Sequence, residues 1–220
     1  MRKLLVYVLP LCIISHAGAQ ESKLLADAGI ATCDSADSGG GTGSWVASKT
    51  GYSAAVELRT KITGAGSERR CATSWRLHVR VKEGPERSIT VAEREDRPGD
   101  NEWIQNTFEI NAWSKDGNLL LTSQIEAQGD WDETTPIVFD FNSNSFHRAE
   151  LYPLFKKFIR SGCFVLYRPL GFTRAGRVLI SAVSTDGDRE GRTKACFPET
   201  LWEVDMSHGT VVRAAHREAK

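Results

Sequence analysis

The chain has 220 residues, with 28 basic and 28 acidic side chains and a formal net charge of zero. That balance gives no electrostatic footprint for a nucleic-acid partner or an acidic membrane surface. A hydrophobic fraction of 40% with 9% aromatics excludes a disordered chain.

Arg2 and Lys3 open the chain, residues 4–14 are apolar apart from Pro10, and Ala17-Gly18-Ala19 follows. A basic start, a short apolar run and small residues at the end form the tripartite pattern of a secretory leader. The leader is predicted to occupy residues 1–19, with Gln20 as the first residue of the mature chain. The apolar run is 11 residues long, against about 20 for a helix that spans a bilayer. Cys12 sits inside that run behind Leu9-Pro10-Leu11, where a lipidation site wants a small residue. No later stretch is long and apolar enough to span, so the expectation is a secreted or periplasmic protein with no membrane span. Losing Arg2 and Lys3 leaves 26 basic and 28 acidic side chains, a net charge of −2.

Residues 20–44 read as an N-terminal segment with a Gly-rich linker, Gly39-Gly40-Gly41-Thr42-Gly43. It lacks the Lys and the following helix of a phosphate-binding loop. Residues 45–216 are expected to form a β-repeat domain and residues 217–220 a tail.

The repeat is read from three units of about residues 45–95, 103–146 and 163–213. In the second, Ala112-Trp113-Ser114-Lys115-Asp116-Gly117-Asn118 precedes an apolar run at residues 119–123, and Ile137-Val138-Phe139-Asp140-Phe141-Asn142 closes the unit. The third has Gly171-Phe172-Thr173-Arg174-Ala175-Gly176-Arg177, then residues 178–182, then Leu201-Trp202-Glu203-Val204-Asp205-Met206. The first has Ala47-Ser48-Lys49-Thr50-Gly51-Tyr52, residues 53–58 and Ser74-Trp75-Arg76-Leu77-His78-Val79. Gly51, Gly117 and Gly176 recur at 66 and 59 residues, and Trp75, Ile137 and Trp202 at 62 and 65. The Gly steps supply the positive φ of a hairpin turn. Alternation of Trp202, Val204 and Met206 with Glu203 and Asp205 has the period of two of a half-buried strand.

These units resemble the blades of TolB-like β-propellers, on the Trp113-Ser114-Lys115-Asp116-Gly117 turn, the strand at residues 119–123 and the closing strand ending in Asp140-Phe141-Asn142. The third unit keeps Phe172, Gly176 and Asp205 but has Ala175 in place of the Asp, and the first keeps little beyond Gly51 and its closing strand. The resemblance implies an all-β fold of three propeller-like antiparallel units. Propellers close with four to eight blades, so three imply an open array or a ring completed by oligomerisation. A β-sandwich or barrel is the alternative.

Four cysteines follow the leader: Cys33, Cys71, Cys163 and Cys196. An even count in an oxidising compartment reads as two disulfides. The absence of any CxxC pair speaks against zinc. Three pairings are open, and placement relative to the repeat favours Cys33 with Cys71 and Cys163 with Cys196, which bracket the first and third hairpins.

One segment departs from the β pattern. Leu151, Leu154, Phe155, Phe158 and Ile159 lie on one helical face, predicting a short connecting helix over residues 150–161 packed on a sheet, with Lys156, Lys157 and Arg160 outward.

Candidate chemistry is sparse. Asp186-Gly187-Asp188-Arg189-Glu190-Gly191 matches the opening of a calcium loop, but Phe197 stands where the closing Glu belongs. A polar loop is the plainer reading, with calcium as the one cofactor considered and Asp186, Asp188 and Glu190 as its ligands. Trp103 and Trp131 lie among carboxylates, a setting suited to glycan or peptide contact. His78, His147, His208 and His216 lie in no HExxH motif, and no GxSxG elbow exists. No catalytic residue is assigned. The expectation is a non-enzymatic binding or scaffold module for a protein or glycan partner. The alternatives are a secreted hydrolase with an unrecognised site, or a structural subunit of a cell-surface assembly that forms homo-oligomers.

Overall fold

The computed structural model describes residues 26–27, 39–81, 84–96, 104–128, 131–159, 165–184 and 200–214. The protein is all-β: three antiparallel sheets and one short helix, with no closed barrel among the described residues.

The first sheet contains β2 (Gly39–Thr42), β3 (Val46–Ala47), β4 (Tyr52–Thr63), β5 (Arg70–Val81) and β6 (Arg87–Asp96). The second contains β7 (Ile104–Trp113), β8 (Leu119–Gln128), β9 (Trp131–Asp140) and β10 (Ser145–Arg148), with β1 (Ala26–Asp27) added to the edge of β7. The third contains β11 (Val165–Phe172), β12 (Val178–Ser184), β13 (Thr200–Asp205) and β14 (Thr210–Arg213). Within each sheet, apart from β1, and from β2 and β3, which share one edge of β4, strands adjacent in sequence lie side by side, as short hairpin connections require.

The Gly-rich stretch is not a linker. Gly39–Thr42 pairs with β4 from Gly39↔Thr60 to Thr42↔Glu57, Gly43 N–H donates to the Val56 carbonyl, and Val46 then pairs Ala54. Residues 39–47 thus form one interrupted edge strand. Glycine weakens a strand on average, and here β4 supplies the hydrogen bonds that hold it extended.

The three units repeat in more detail than their sequences do. Ser48, Ser114 and Thr173 open the turns, with their N–H groups bonded to the carbonyls of Tyr52, Leu119 and Arg177. Gly51, Gly117 and Gly176 follow at φ of 96°, 72° and 77°, a region closed to most side chains. Shortly before each turn opener the ladder slips by one residue. The slip lies between Ile110 and Ala112 in β7, between Pro169 and Gly171 in β11, and between Thr42 and Val46 in the first sheet. Such bulges bend the strand and sharpen its twist.

Register corrects one equivalence drawn from sequence spacing. Ile137 and Trp202 each stand three residues before the strand-ending Asp140 and Asp205, opposite Thr122 and Ile180. In the first sheet, the residue three before the end of the ladder is His78, opposite Ala55, whereas Trp75 lies opposite Leu58 on the other face. The 12-residue hairpin arms of β4 and β5 displace Trp75 along the strand.

The sheets stack in the order first, second, third. Ala54, Val56, Trp75, Leu77 and Val79 of the first pack on Phe108, Ile110, Leu120, Ile137 and Phe139 of the second. The opposite face of the second, with Leu121 and Val138, packs on Tyr167, Val178, Ile180, Ala182, Trp202 and Val204 of the third. The second sheet is covered on both faces, which is why β8 and β9 carry consecutive apolar residues rather than strict alternation. Adjacent turns touch too: a Cβ on Gly117 would strike the Thr50 side chain, and one on Gly176 would lie 3.6 Å from Leu119 Cδ1.

The helix α1 (Leu151–Phe155) continues as one 3-10 turn at Lys156–Phe158, and Ile159 is already extended. It is shorter than the predicted 150–161. As expected, it packs on a sheet: Leu151 and Phe155 are buried, Phe155 meets Trp202 edge-on at 5.3 Å, and Lys156 and Lys157 face outward.

Candidate functional site

The first strands of the second and third sheets, β7 and β11, approach one another. Between them lies a cleft of about 270 Å³. Glu109, Asn111, Ser123, Ile125 and Thr134 line its wall on the second sheet, and residues 166–169 of β11 line the other. Asn111 is the bulged residue of β7, so the slip in the ladder turns its amide toward Ser123. The Ser123 hydroxyl donates to Asn111 Oδ1 at 2.6 Å. Ser123 and Thr134 sit at the place on their strands where the apolar face of Leu121 and Val138 gives way to polar groups. Arg168 is exposed at the rim, and Tyr167 turns its ring inward onto Phe155 at 5.0 Å. Burial pushes the Tyr167 hydroxyl well above its usual range, with Tyr152 adding to the effect, so it stays protonated. The cleft therefore offers carboxamide, carboxylate, hydroxyl and guanidinium groups beside an apolar floor. That mix orients a polar ligand by hydrogen bonds.

A second polar constellation lies on the outer face of the first sheet. His78 Nε2 is 2.8 Å from Glu57 Oε2, and His78 Nδ1 is 2.6 Å from Glu86 Oε1. Arg59 Nε donates to Glu57 Oε1 at 2.8 Å. Burial acts to raise the Glu57 carboxyl, but the hydrogen bonds and charges of Arg59 and His78 outweigh it and hold the group below its ordinary value. Arg80 Nε donates to the Ser53 hydroxyl at 2.9 Å, and its guanidinium lies 4.1 Å from the ring centroid of Trp45. This Ser is thus committed to Arg80, and this His to two carboxylates, so the face is a charge network and not a nucleophile–base pair.

Asp205, Ser207 and His208 combine hydrolase residue types at one turn. Asp205 Oδ1 accepts from Ser207 N–H at 3.1 Å, Ser207 Oγ at 2.7 Å and His208 N–H at 3.1 Å, and His208 Nδ1 lies 3.1 Å away. The Ser207 bond, with those from His208, holds the Asp205 carboxyl far below its usual range despite some desolvation. Asp140 plays the same part in the second sheet, accepting from Asn142 N–H at 2.8 Å and Ser143 Oγ at 2.8 Å. A carboxylate that takes the Ser hydroxyl directly locks a turn.

Of the residues singled out from sequence, Cys33, Cys163, Cys196, Asp186, Asp188, Glu190 and Trp103 lie outside the described residues, as does the leader. Cys71 is buried in β5 opposite Ile62. Trp131 opens β9 opposite Gln128 at the β8–β9 turn, three residues along the strand from Thr134 of the cleft. No group of three or more His, Cys, Asp or Glu suited to a metal occurs among the described residues. The sequence does not point to Asn111, Ser123 and Arg168, because only the matching bulges bring them to one cleft. No protein-family model, curated protein sequence or solved structure matches the chain.

Proposed function

We propose that the protein is an exported β-repeat binding module that holds a protein or glycan partner in the cleft between its second and third sheets. The observation that carries this reading is the lining of that cleft. Glu109, Asn111, Ser123 and Thr134 face Arg168 across about 270 Å³, whereas the other polar clusters described above, among the described residues, form turns and the network on the first sheet. The secretory leader at residues 1–19 supports export to a secreted or periplasmic location. The even number of cysteines after the leader, Cys33, Cys71, Cys163 and Cys196, supports the same reading.

The test is a screen of the full chain on immobilised oligosaccharides and peptides, repeated with Arg168→Glu. Arg168 is exposed, so the variant keeps its fold. The expected result is a ligand whose affinity drops about tenfold or more, equivalent to about 1.4 kcal/mol. Ligands that bind wild type and Arg168→Glu equally would place recognition elsewhere.

A second reading, a homo-oligomeric structural subunit, is favoured by the outer face of the third sheet. Leu201 and Val212 lie there at 39% and 47% exposure, on the side that in the first and second sheets is covered by the next sheet. Sedimentation velocity of wild type against Leu201→Lys should then show a dimer converted to a monomer, and a monomeric wild type rejects it.

A further inference from the structure

Building on the reading of the cleft as the binding site, we propose that its partner is an extended acidic peptide segment of another protein, added antiparallel to the edge of β11 that carries no strand among the described residues. β7 and β11 are the same strand in successive units. The shared bulge and turn align Ile110 with Pro169 and Glu109 with Arg168. On β7 these two positions already carry an added strand, because Ala26 pairs Ile110 and Asp27 pairs Glu109. On β11, β12 is the one ladder neighbour among the described residues, and Arg168 and Pro169 line the cleft. The second unit thus shows, within one chain, the strand addition that the third leaves open.

Pro169 settles which backbone groups that edge offers. Proline has no N–H for the ladder, so it stands in a strand with its nitrogen turned to the unpaired side. In an antiparallel ladder the N–H and C=O of one residue point the same way and those of its neighbour point the other way. The register between Tyr167 and Pro169 is unbroken. The edge therefore presents the Pro169 carbonyl together with the N–H and carbonyl of Tyr167. An extended peptide satisfies all three through its own main chain, as in other strand-addition complexes. A residue opposite Pro169 needs only to donate its N–H.

Side-chain selectivity comes from Arg168. On β7 its counterpart Glu109 is in register with Asp27; an acid at the same register opposite Arg168 makes a favourable cross-strand pair. Proline and a cation on the same edge also deter a second β11 from pairing there. The edge is accordingly guarded against self and open to an acidic strand.

The probe is a synthetic peptide with the sequence of residues 24–29, Leu-Leu-Ala-Asp-Ala-Gly, blocked at both ends and fluorescently labelled. It is titrated into the full chain by anisotropy. Saturable binding is expected. Methylating the backbone nitrogen of the first Ala, which faces Pro169, should weaken it about tenfold, and replacing the Asp by Lys should do the same. Arg168→Glu should reverse the preference so that the Lys peptide binds better, which places the site on β11 and not on β7, where the facing residue is Glu109. Equal binding of the N-methylated peptide, or an unchanged preference in Arg168→Glu, overturns strand addition. An oligosaccharide that responds to Arg168→Glu when no peptide does would overturn strand addition and leave the cleft as the binding site. If neither class responds to Arg168→Glu, both readings fall.

Discussion

His78 and Glu57 sit on adjacent strands of the first sheet, Nε2 2.8 Å from Oε2, with each side chain only 10% exposed. Replacing His78 by Ala strips the Glu57 carboxylate of a hydrogen-bond partner in a covered site. A lost hydrogen bond to a buried charge costs about 1–3 kcal/mol, and urea unfolding should show a loss in that range. Ligand binding at the cleft should be unaffected, since the network lies on the sheet that does not line it. A hydrolase that used this imidazole would instead lose turnover without a comparable loss of stability.

The same carboxylate sets an acid limb. Glu57 titrates lower in the folded protein than its ordinary value of 4.5, and Asp116 and Asp205 are lowered as well. For such groups the unfolded chain binds protons first, so their contribution is present above the ordinary carboxylate range and is lost as the pH falls through the folded values. Thermal stability should decline steadily as the pH drops below about 4.5, and Glu57→Gln should make that decline shallower. A slope identical to that of wild type would mean that Glu57 is not coupled to folding.

The turn glycines separate backbone strain from contact between sheets. Gly117 and Gly176 share φ values of 72° and 77°. Only Gly117 lies so close to Thr50 that an added methyl would collide with it. Gly176→Ala should cost the conformational penalty alone, about 1–2 kcal/mol. Gly117→Ala should cost more, and the double variant with Thr50→Ala should recover the difference. Equal penalties for the two single variants would show that the first and second turns do not press on each other.

Peptide mapping without reduction should join Cys71 to Cys33 and Cys163 to Cys196, closing loops that span 38 and 33 residues. Loops of this size are worth about 3–4 kcal/mol each by chain-entropy reasoning, so reduction should lower the midpoint of unfolding sharply. A peptide linking Cys71 to Cys163 or Cys196 contradicts the assignment.

Much of this architecture is legible in the sequence, and the reason is local chemistry. The turn at Ser114-Lys115-Asp116-Gly117 announces itself through a glycine that must take positive φ and an Asp that caps it, with Asp116 Oδ1 accepting from Ser114 Oγ at 2.6 Å and from Asn118 N–H at 3.2 Å. The helix shows itself through the spacing of Leu151 and Phe155. The bulges do not, because a slipped ladder depends on two strands, and Asn111 and Leu170 share no side-chain character. For the same reason the cleft cannot be read from either strand alone. Composition hides the Gly-rich strand, because glycine weakens a strand on average and these residues are held extended only by β4 beside them. Spacing misplaces Trp75 because it measures contour length, while register measures position across the ladder.

The charged face of the first sheet has one more consequence. A protein built from stacked, similar sheets runs the hazard of a filament, since the last sheet of one molecule could accept the first sheet of the next without limit. Here a docking sheet would have to dehydrate the Arg59 side chain, which is 53% exposed, and no apolar contact from Leu201 or Val212 would replace the lost water. A charged group on that face disfavours head-to-tail growth. A self-contact through the apolar outer face of the third sheet would instead pair two such faces about a twofold axis, and assembly by that route would end at a pair.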